Sequence, residues 1–519
     1  MLAALMKRIP DLSQTHVVPL SILALLLAVA GGACVFLSLA PYDLWFMGVV
    51  AALVFVCLCI PQRRQRDYFL LSLLFHFSMF ATGVNWVYVS MHTFGQVPGA
   101  LAAVFTAGFA VFLALLSSLP WLVFAKVGKT PAQRLLLAPV FWVLSEWSRG
   151  WLLTGFPWLY LGHGQAHTLL SGWLPLFGAL GASLMVMLSA SALVLLAQRS
   201  KQSAITAGLV LCMAWGGGGL LRQVSWTTPM GEPINVTLVQ PNIALADKWN
   251  PALNQKIVNH IEALSEQHWH QRLVIWPEAA VPFFGEDALA YLDDLDQQLK
   301  PMNSALITGY LTYDEQQERA YNAIGGVGLG EGKYLKQRLV PFGEYVPLED
   351  QLRGLINFFD LPMSIIAAGS DNQSGLVYQQ QEQSVRIAPA ICYEIAYGPL
   401  VADLAKDAQL IVTLSNDAWF ADSIGPHQHM QLAQVRAVEN RKPVLRVTNN
   451  GVTASVGSDG KILDQLPQFT SATLDTTVQP MSGSTVYSRF GNLPILLMLG
   501  LLILISFTLP RATKESSEA

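Results

Sequence analysis

Of the five cysteines in this chain, four (Cys34, Cys57, Cys59 and Cys212) fall inside long apolar runs, where they read as small packing residues. The fifth, Cys392, closes the apolar run VRIAPAI and is followed by Tyr393 and Glu394. A thiol attacks as its thiolate, which needs a base or a cation close by. Two other run ends supply candidates. Glu278 closes RLVIWPE behind a rigid Trp-Pro step, and Lys336 stands in KQRLVPFGEYVP with a second carboxylate, Glu344, eight residues on. Exported domains normally pair their cysteines or lack them. A lone Cys392 is therefore a free reactive thiol, a partner for an intermolecular disulfide, or an inert buried residue. No CxxC pair supports zinc or thioredoxin-like chemistry. His163/His167 and His427/His429 lack a carboxylate or Cys at ligand spacing, so no metal is expected. Neither GxGxxG before a helix nor a P-loop occurs in a fitting context, and no cofactor is expected.

The elements that must position these groups are legible as short apolar runs ending in polar residues. INVTLVQPNI (234–243), RLVIWPEAA (272–280), ALITGYL (305–311), VRIAPAICYE (385–394), LIVTLSND (410–417) and PVLRVTNNG (443–451) read as buried strands. Residues 251–269, 285–300 and 427–441 read as helices. Strands alternating with helices predict a layered α/β domain, with its chemistry on the loops at strand ends.

That domain is embedded in a chain of another kind. The 519 residues are 52% hydrophobic and only 13% charged. This excludes a disordered or nucleic-acid-binding protein and argues against an ordinary soluble enzyme. The formal charge of −4 divides into +7 over residues 1–221, −11 over 222–490 and zero over 491–519. Eight apolar stretches are long enough to cross a bilayer: 17–40, 44–60, 68–90, 98–125, 134–153, 171–197, 203–221 and 492–509. Lys7 and Arg8 before the first give it the look of a signal peptide, but the spans that follow at once favour a retained first span. With eight spans, Lys7, Arg8, Arg63, Arg64, Arg66, Lys126, Lys129, Arg134, Arg199, Lys201, Arg511 and Lys514 share one side, which is therefore cytoplasmic. Both termini are expected there, and 222–490 outside. The expected division is thus 1–221 membrane domain with seven spans, 222–490 catalytic domain, and 491–519 eighth span and tail.

WPE at 276–278, KQRLVPFGEYVP at 336–347 and CYE at 392–394, in that order, resemble the Glu-Lys-Cys triad of the nitrilase superfamily. With eight surrounding spans and GFPWLYLGHGQ at 155–165, the chain resembles the membrane-embedded branch of that superfamily, the apolipoprotein N-acyltransferase family. The resemblance implies a polytopic helical bundle carrying an αββα sandwich in the periplasm, anchored in the bacterial inner membrane. It implies acyl transfer from a phospholipid, typically phosphatidylethanolamine, to the N-terminal α-amine of the diacylglyceryl-cysteine of an apolipoprotein. The route would be ping-pong through a thioester on Cys392. The partners would be the phospholipid donor, the apolipoprotein acceptor and membrane lipids, with no nucleic acid and a monomeric chain.

In that scheme Cys392 is the nucleophile, Glu278 the general base and Lys336 the charge that holds thiolate and oxyanion, with a backbone N–H near Tyr393 as second donor. Glu344 would orient Lys336 or relay protons, or merely fix its loop. Glu394 is either a supporting carboxylate or a strand-end ion pair. Asn322 could orient the site or belong to a turn. Trp249, Phe283, Phe284, Phe342 and Trp419 could cover an apolar cleft against water or be ordinary core. Glu146 and Arg149 share a helix face, as an intrahelical ion pair or with Arg149 gripping a lipid phosphate beside Trp158. His76, mid-span, is expected in an interhelical hydrogen bond. The competing readings are a membrane-anchored amidase that hydrolyses a small amide, and a transporter bundle with an inactive outer domain.

Overall fold

The computed structural model describes residues 17–270, 272–345, 366–380 and 383–509. The cations expected at both termini and the end of the KQRLVPFGEYVP run lie outside these residues. The chain divides into two compact units, one of residues 1–88, 100–224 and 492–519, the other of 89–99 and 225–491.

The first unit is helical because a helix satisfies the backbone polar groups of a long apolar run within the run itself, even where Pro120 and Pro139 stand inside helices. Among the described residues, three helices are long and apolar enough to cross a membrane: Gly99–Val127, Leu169–Ala197 and Lys201–Leu221. A fourth forms if Gln65–Gly83 and Trp86–Phe94, bent by 51°, are taken as one. The expected span 68–90 is therefore broken by a kink after Gly83. Three shorter apolar helices, Ile22–Leu37, Phe46–Cys59 and Leu493–Thr508, fall below that length. The expected span 134–153 is the helix Pro131–Arg149, started by a Thr130–Gln133 capping box. Its charges are absorbed inside the unit. Arg134, buried, donates to the carbonyls of Ile60 at 2.6 Å and of Gly128 and Lys129 at 3.0 Å, satisfying helix C-termini. His76 makes an intrahelical bond rather than an interhelical one: its Nδ1 sits 2.9 Å from the Ser72 carbonyl. The hydroxyl of Ser72 carries the link on to Ser118 of a second helix. Leucines such as Leu26, Leu209, Leu220 and Leu504 face outward, so the unit is apolar on its surface.

The second unit stacks two sheets. One runs, in spatial order, Ala472–Val478, Ile234–Gln240, Leu273–Ile275, Ala305–Asp314, Arg319–Gly328 and Lys333–Leu335. The other runs Ile462–Gln465, Ala454–Val456, Val444–Thr448, Leu410–Ser415, Gln383–Ile391, Leu376–Gln380 and Gly330–Glu331. The three central strands of each are parallel. Alternation decides the layers. Val236, Leu238, Leu273, Ile275 and Ile307 face Ile387, Ile391, Leu410, Val412 and Leu445 across the core between the sheets. Val239, Val274, Leu306 and Tyr310 face the other way, onto Ile257, Ile261, Leu292 and Leu295 of the helices Asn254–Ser265 and Glu286–Leu299. The helices Gly398–Ala405 and Gly425–Asn440 cover the second sheet. The expected αββα layering is what this unit forms.

Candidate active site

Three strand ends, each followed by a sharp change of direction, bring the chemistry together. After Leu273–Ile275 the chain turns through Trp276–Pro277 and presents Glu278. Gly309 makes this possible: a Cβ there would lie 2.5 Å from the Ala279 nitrogen and 2.8 Å from the Glu278 Cα. After Gln383–Ile391, Cys392 adopts φ +51°, a left-handed conformation rare for a side chain with a Cβ and frequent at reactive turns. After Lys333–Leu335 the chain leaves the sheet at Lys336, whose N–H still donates to the Asn322 carbonyl at 2.9 Å.

Lys336 is buried and its Nζ lies 2.8 Å from Glu344 Oε1 and 3.5 Å from Glu278 Oε1. Asn322 Nδ2 donates to both carboxylates, at 2.8 Å to Glu278 and 3.3 Å to Glu344. The other oxygens are fixed by backbone: Asn416 N–H donates to Glu278 Oε2 and Val340 N–H to Glu344 Oε2, each at 2.8 Å. Asn322 thus spans the pair rather than sitting in a turn. Glu394 is fully buried and forms no ion pair among the described residues. It accepts from Ile391 N–H (2.7 Å), Gln337 N–H (2.6 Å), Arg338 N–H (3.1 Å) and the Tyr334 hydroxyl (2.9 Å). One carboxylate therefore ties the Lys336 loop to the Cys392 turn.

The electrostatics follow from burial. The Cys392 thiol is pushed up to about 12, first by burial and then by the Glu278 carboxylate, with Lys336 and the Ser415 hydroxyl pulling the other way. Burial alone would lower Lys336, but Glu344, Glu278 and Cys392 outweigh it and raise the ammonium above its ordinary value. At neutral pH the arrangement holds a neutral thiol beside a fixed cation and two carboxylates. Such a thiol can attack only if a base takes its proton as it does so.

Several participants were not singled out from the sequence. Lys248 is buried, donates to the Glu278 carbonyl at 2.9 Å, and is lowered to about 8 by burial, against the pull of Glu278 and Cys392. It precedes Trp249, whose aromatic prominence masked it. Asn416 and Asp417 sit at the polar end of LIVTLSND, a signal that was visible. His429, whose sequence neighbours include no carboxylate at ligand spacing, has a carboxylate partner in Asp417 Oδ1 at 3.0 Å, supplied by a different element.

Trp249, Phe284 and Phe342 keep between 38% and 48% of their surface exposed, so they are not core. Phe283 is partly buried and packs against Tyr291. The Trp419 carbonyl accepts from the Ser90 hydroxyl at 2.8 Å, and its ring meets Phe94 edge-on. Arg149 and Trp158 belong to the helical unit and are buried there. Arg149 lies 4.8 Å from the Phe80 ring and 5.2 Å from Tyr160, while Glu146 Oε1 accepts from Trp142 Nε1 and Leu161 N–H at 2.9 Å. Ring faces and separate donors thus take the place of the intrahelical ion pair.

Comparison with known proteins agrees with both units. Residues 31–192 match the family described as the apolipoprotein N-acyltransferase N-terminal domain, and 235–486 match the carbon-nitrogen hydrolase family. Proteins named apolipoprotein N-acyltransferase match along nearly the whole chain. That of Pseudomonas putida is 40% identical over 485 residues, covering 92% of this chain and 95% of its own. That of Azotobacter vinelandii is 41% identical over 479 residues, covering 91% and 92%. That of Vibrio parahaemolyticus is 37% identical over 496 residues, covering 92% and 96%.

Proposed function

This chain belongs to the apolipoprotein N-acyltransferase family, and on that premise we propose that it moves an acyl chain from a phospholipid to the α-amine of a diacylglyceryl-cysteine through a thioester on Cys392. The observation that carries the reading is the buried Glu278–Lys336–Glu344 cluster around a thiol held in a left-handed turn. Glu278 takes the Sγ proton while sulfur attacks the ester carbonyl. Lys336 and the Tyr393 N–H stabilise the oxyanion. The carbon–oxygen bond to glycerol breaks, Glu278 returns the proton to that oxygen, and a lysophospholipid leaves. The amine then attacks the thioester and gives a proton to Glu278; the carbon–sulfur bond breaks, and Glu278 returns that proton to sulfur, leaving an amide and the thiol. Glu344 and Asn322 hold Lys336 and Glu278 at their distances, and Glu394 holds the Lys336 loop to the Cys392 turn.

A thioester that waits for an amine must be kept from water. Trp249, Phe342 and Trp419 supply apolar cover for the acyl chain. For Arg149 and Trp158 a lipid-binding role requires that the rings now over the guanidinium give way. We further assign an eight-span arrangement, with the shorter and kinked helices also crossing. Residues 1–221 form the membrane domain, 222–490 a periplasmic catalytic domain, and 491–519 the last span and a cytoplasmic tail. This places the chain in the inner membrane with both termini cytoplasmic. The donor is phosphatidylethanolamine and the working form a monomer. An anchored amidase is disfavoured by the relatives' name and by a bundle far larger than an anchor needs.

Incubating the purified full-length protein with phospholipid should add one acyl mass to Cys392, removable by hydroxylamine. No adduct on the wild type, or an equal adduct on Cys392→Ala, would remove the covalent route.

A further inference from the structure

His429 and Asp417 have the look of the His–Asp pair that activates a cysteine in other hydrolases, yet the pair is turned elsewhere. His429 Nε2 lies 2.9 Å from the backbone carbonyl of Cys392. A carbonyl only accepts, which assigns the proton to Nε2. On the other side, Nδ1 lies 3.0 Å from Asp417 Oδ1 and 3.0 Å from Arg446 Nη2. Arg446 Nη2 also meets Asp417 Oδ2 at 2.6 Å, and the Ser415 hydroxyl donates to Asp417 Oδ1 at 2.8 Å. All four side chains are essentially buried. The ring cannot rotate without breaking a charged network on one edge and losing a carbonyl on the other.

What this network grips is the peptide that joins Cys392 to Tyr393. A trans peptide is planar, and its C=O and N–H point in opposite directions. Fixing the carbonyl oxygen therefore fixes the direction of the Tyr393 N–H. The same turn is held one residue earlier, where Ile391 N–H donates to Glu394 at 2.7 Å. Between these two anchors Cys392 sits at φ +51°, a conformation the residue would leave if unrestrained. We propose that His429, braced by Asp417 and Arg446, is a positioning residue that aims the Tyr393 N–H at the oxyanion formed when Cys392 attacks an acyl carbonyl.

The inference rests on the acyl-enzyme reading above, and its test separates the two. His429→Gln keeps a donor of similar reach; His429→Met has similar length and no donor. Two rates are measured on the full-length protein: acylation of Cys392 by phospholipid and its alkylation by iodoacetamide. Alkylation displaces iodide at a saturated carbon and forms no oxyanion, so it reports only that the thiol is present, accessible and ionisable. The expected result is acylation slowed on the order of 10²-fold in His429→Met, the loss typical of one oxyanion donor. Alkylation should stay at the wild-type rate, and His429→Gln should recover most of the acylation. Equal losses of acylation and alkylation, unchanged acylation in His429→Met, or a Gln variant no better than Met would each overturn the proposal. A wild type that alkylates at Cys392 and never acylates would instead overturn the acyl-enzyme reading.

Discussion

At the scale of single residues, the proposed chemistry turns on a thiol kept protonated until it reacts. Burial and the Glu278 carboxylate push Cys392 up to about 12. Its iodoacetamide rate should therefore climb through pH 10 without levelling; a plateau below pH 9 would contradict this. The signs for the neighbours are opposite. Glu278→Gln removes a charge that raises the thiol, so alkylation at a given pH should quicken while acylation falls by roughly 10²–10⁴-fold for want of a base. Lys336→Met removes a charge that lowers the thiol, so both rates should fall. Glu278 and Cys392 were legible in the sequence because each ends an apolar run. Lys248 was not, because a buried cation acquires meaning only from what lies across the sheet.

At the scale of elements, the site depends on backbones that approach more closely than side chains allow. Gly309 lies directly under the Trp276–Pro277–Glu278 turn, and a methyl group there would meet only backbone atoms. Gly309→Ala should lower stability by about 1–3 kcal/mol, as overpacking does. It should also slow acylation by roughly 10²-fold, the effect of a displacement near 1 Å. Thermal unfolding and acylation rates of the full chain check the two parts. The Asp417 network makes a second prediction. Burial alone would raise this carboxyl, but Arg446 and His429 outweigh it and hold it below the usual carboxylate range. A carboxyl lowered on folding stabilises above its unfolded value, near pH 4, and loses that contribution as the pH falls further. Arg446→Met leaves the buried charge with one partner fewer and should cost about 3–5 kcal/mol at neutral pH. Its melting temperature should also decline less steeply than the wild type's below about pH 5, because less of the depression remains to be lost. The central strands ending at Glu278, Cys392 and Asp417 were readable as apolar runs. Arg319–Gly328 and Ala472–Val478 were not, since glycines interrupt the first and the second alternates with exposed residues at a sheet edge.

At the scale of the whole molecule, the uneven charge is the organising fact. The helical unit turns leucine outward and buries Arg134, Glu146 and Arg149 on carbonyls, amides and ring faces, as a bilayer demands. The proposed topology puts the α/β unit outside. Protease added to spheroplasts should cut the exposed turn Glu315–Glu318, and inverted membrane vesicles should protect it. Cleavage in inverted vesicles alone would reverse the topology. The number of crossings is where the apolar runs and the helices part. Length and hydropathy mark eight stretches. The chain breaks one by 51° and shortens three, because a kink or a cap is set by neighbouring elements that a window along the sequence does not see.

The sequence by itself determined the two-part build, the layered α/β class, the family and the three groups proposed to react, since these depend on composition, period and local order. Only the tertiary structure decided that Asn322 bridges the two carboxylates, that Glu394 ties a loop to a turn instead of pairing with a cation, and that His429 meets the Cys392 carbonyl. Each of these is a hydrogen bond between elements far apart in the chain. Direction and distance set such bonds, and the order of residues encodes neither until the sheets have packed.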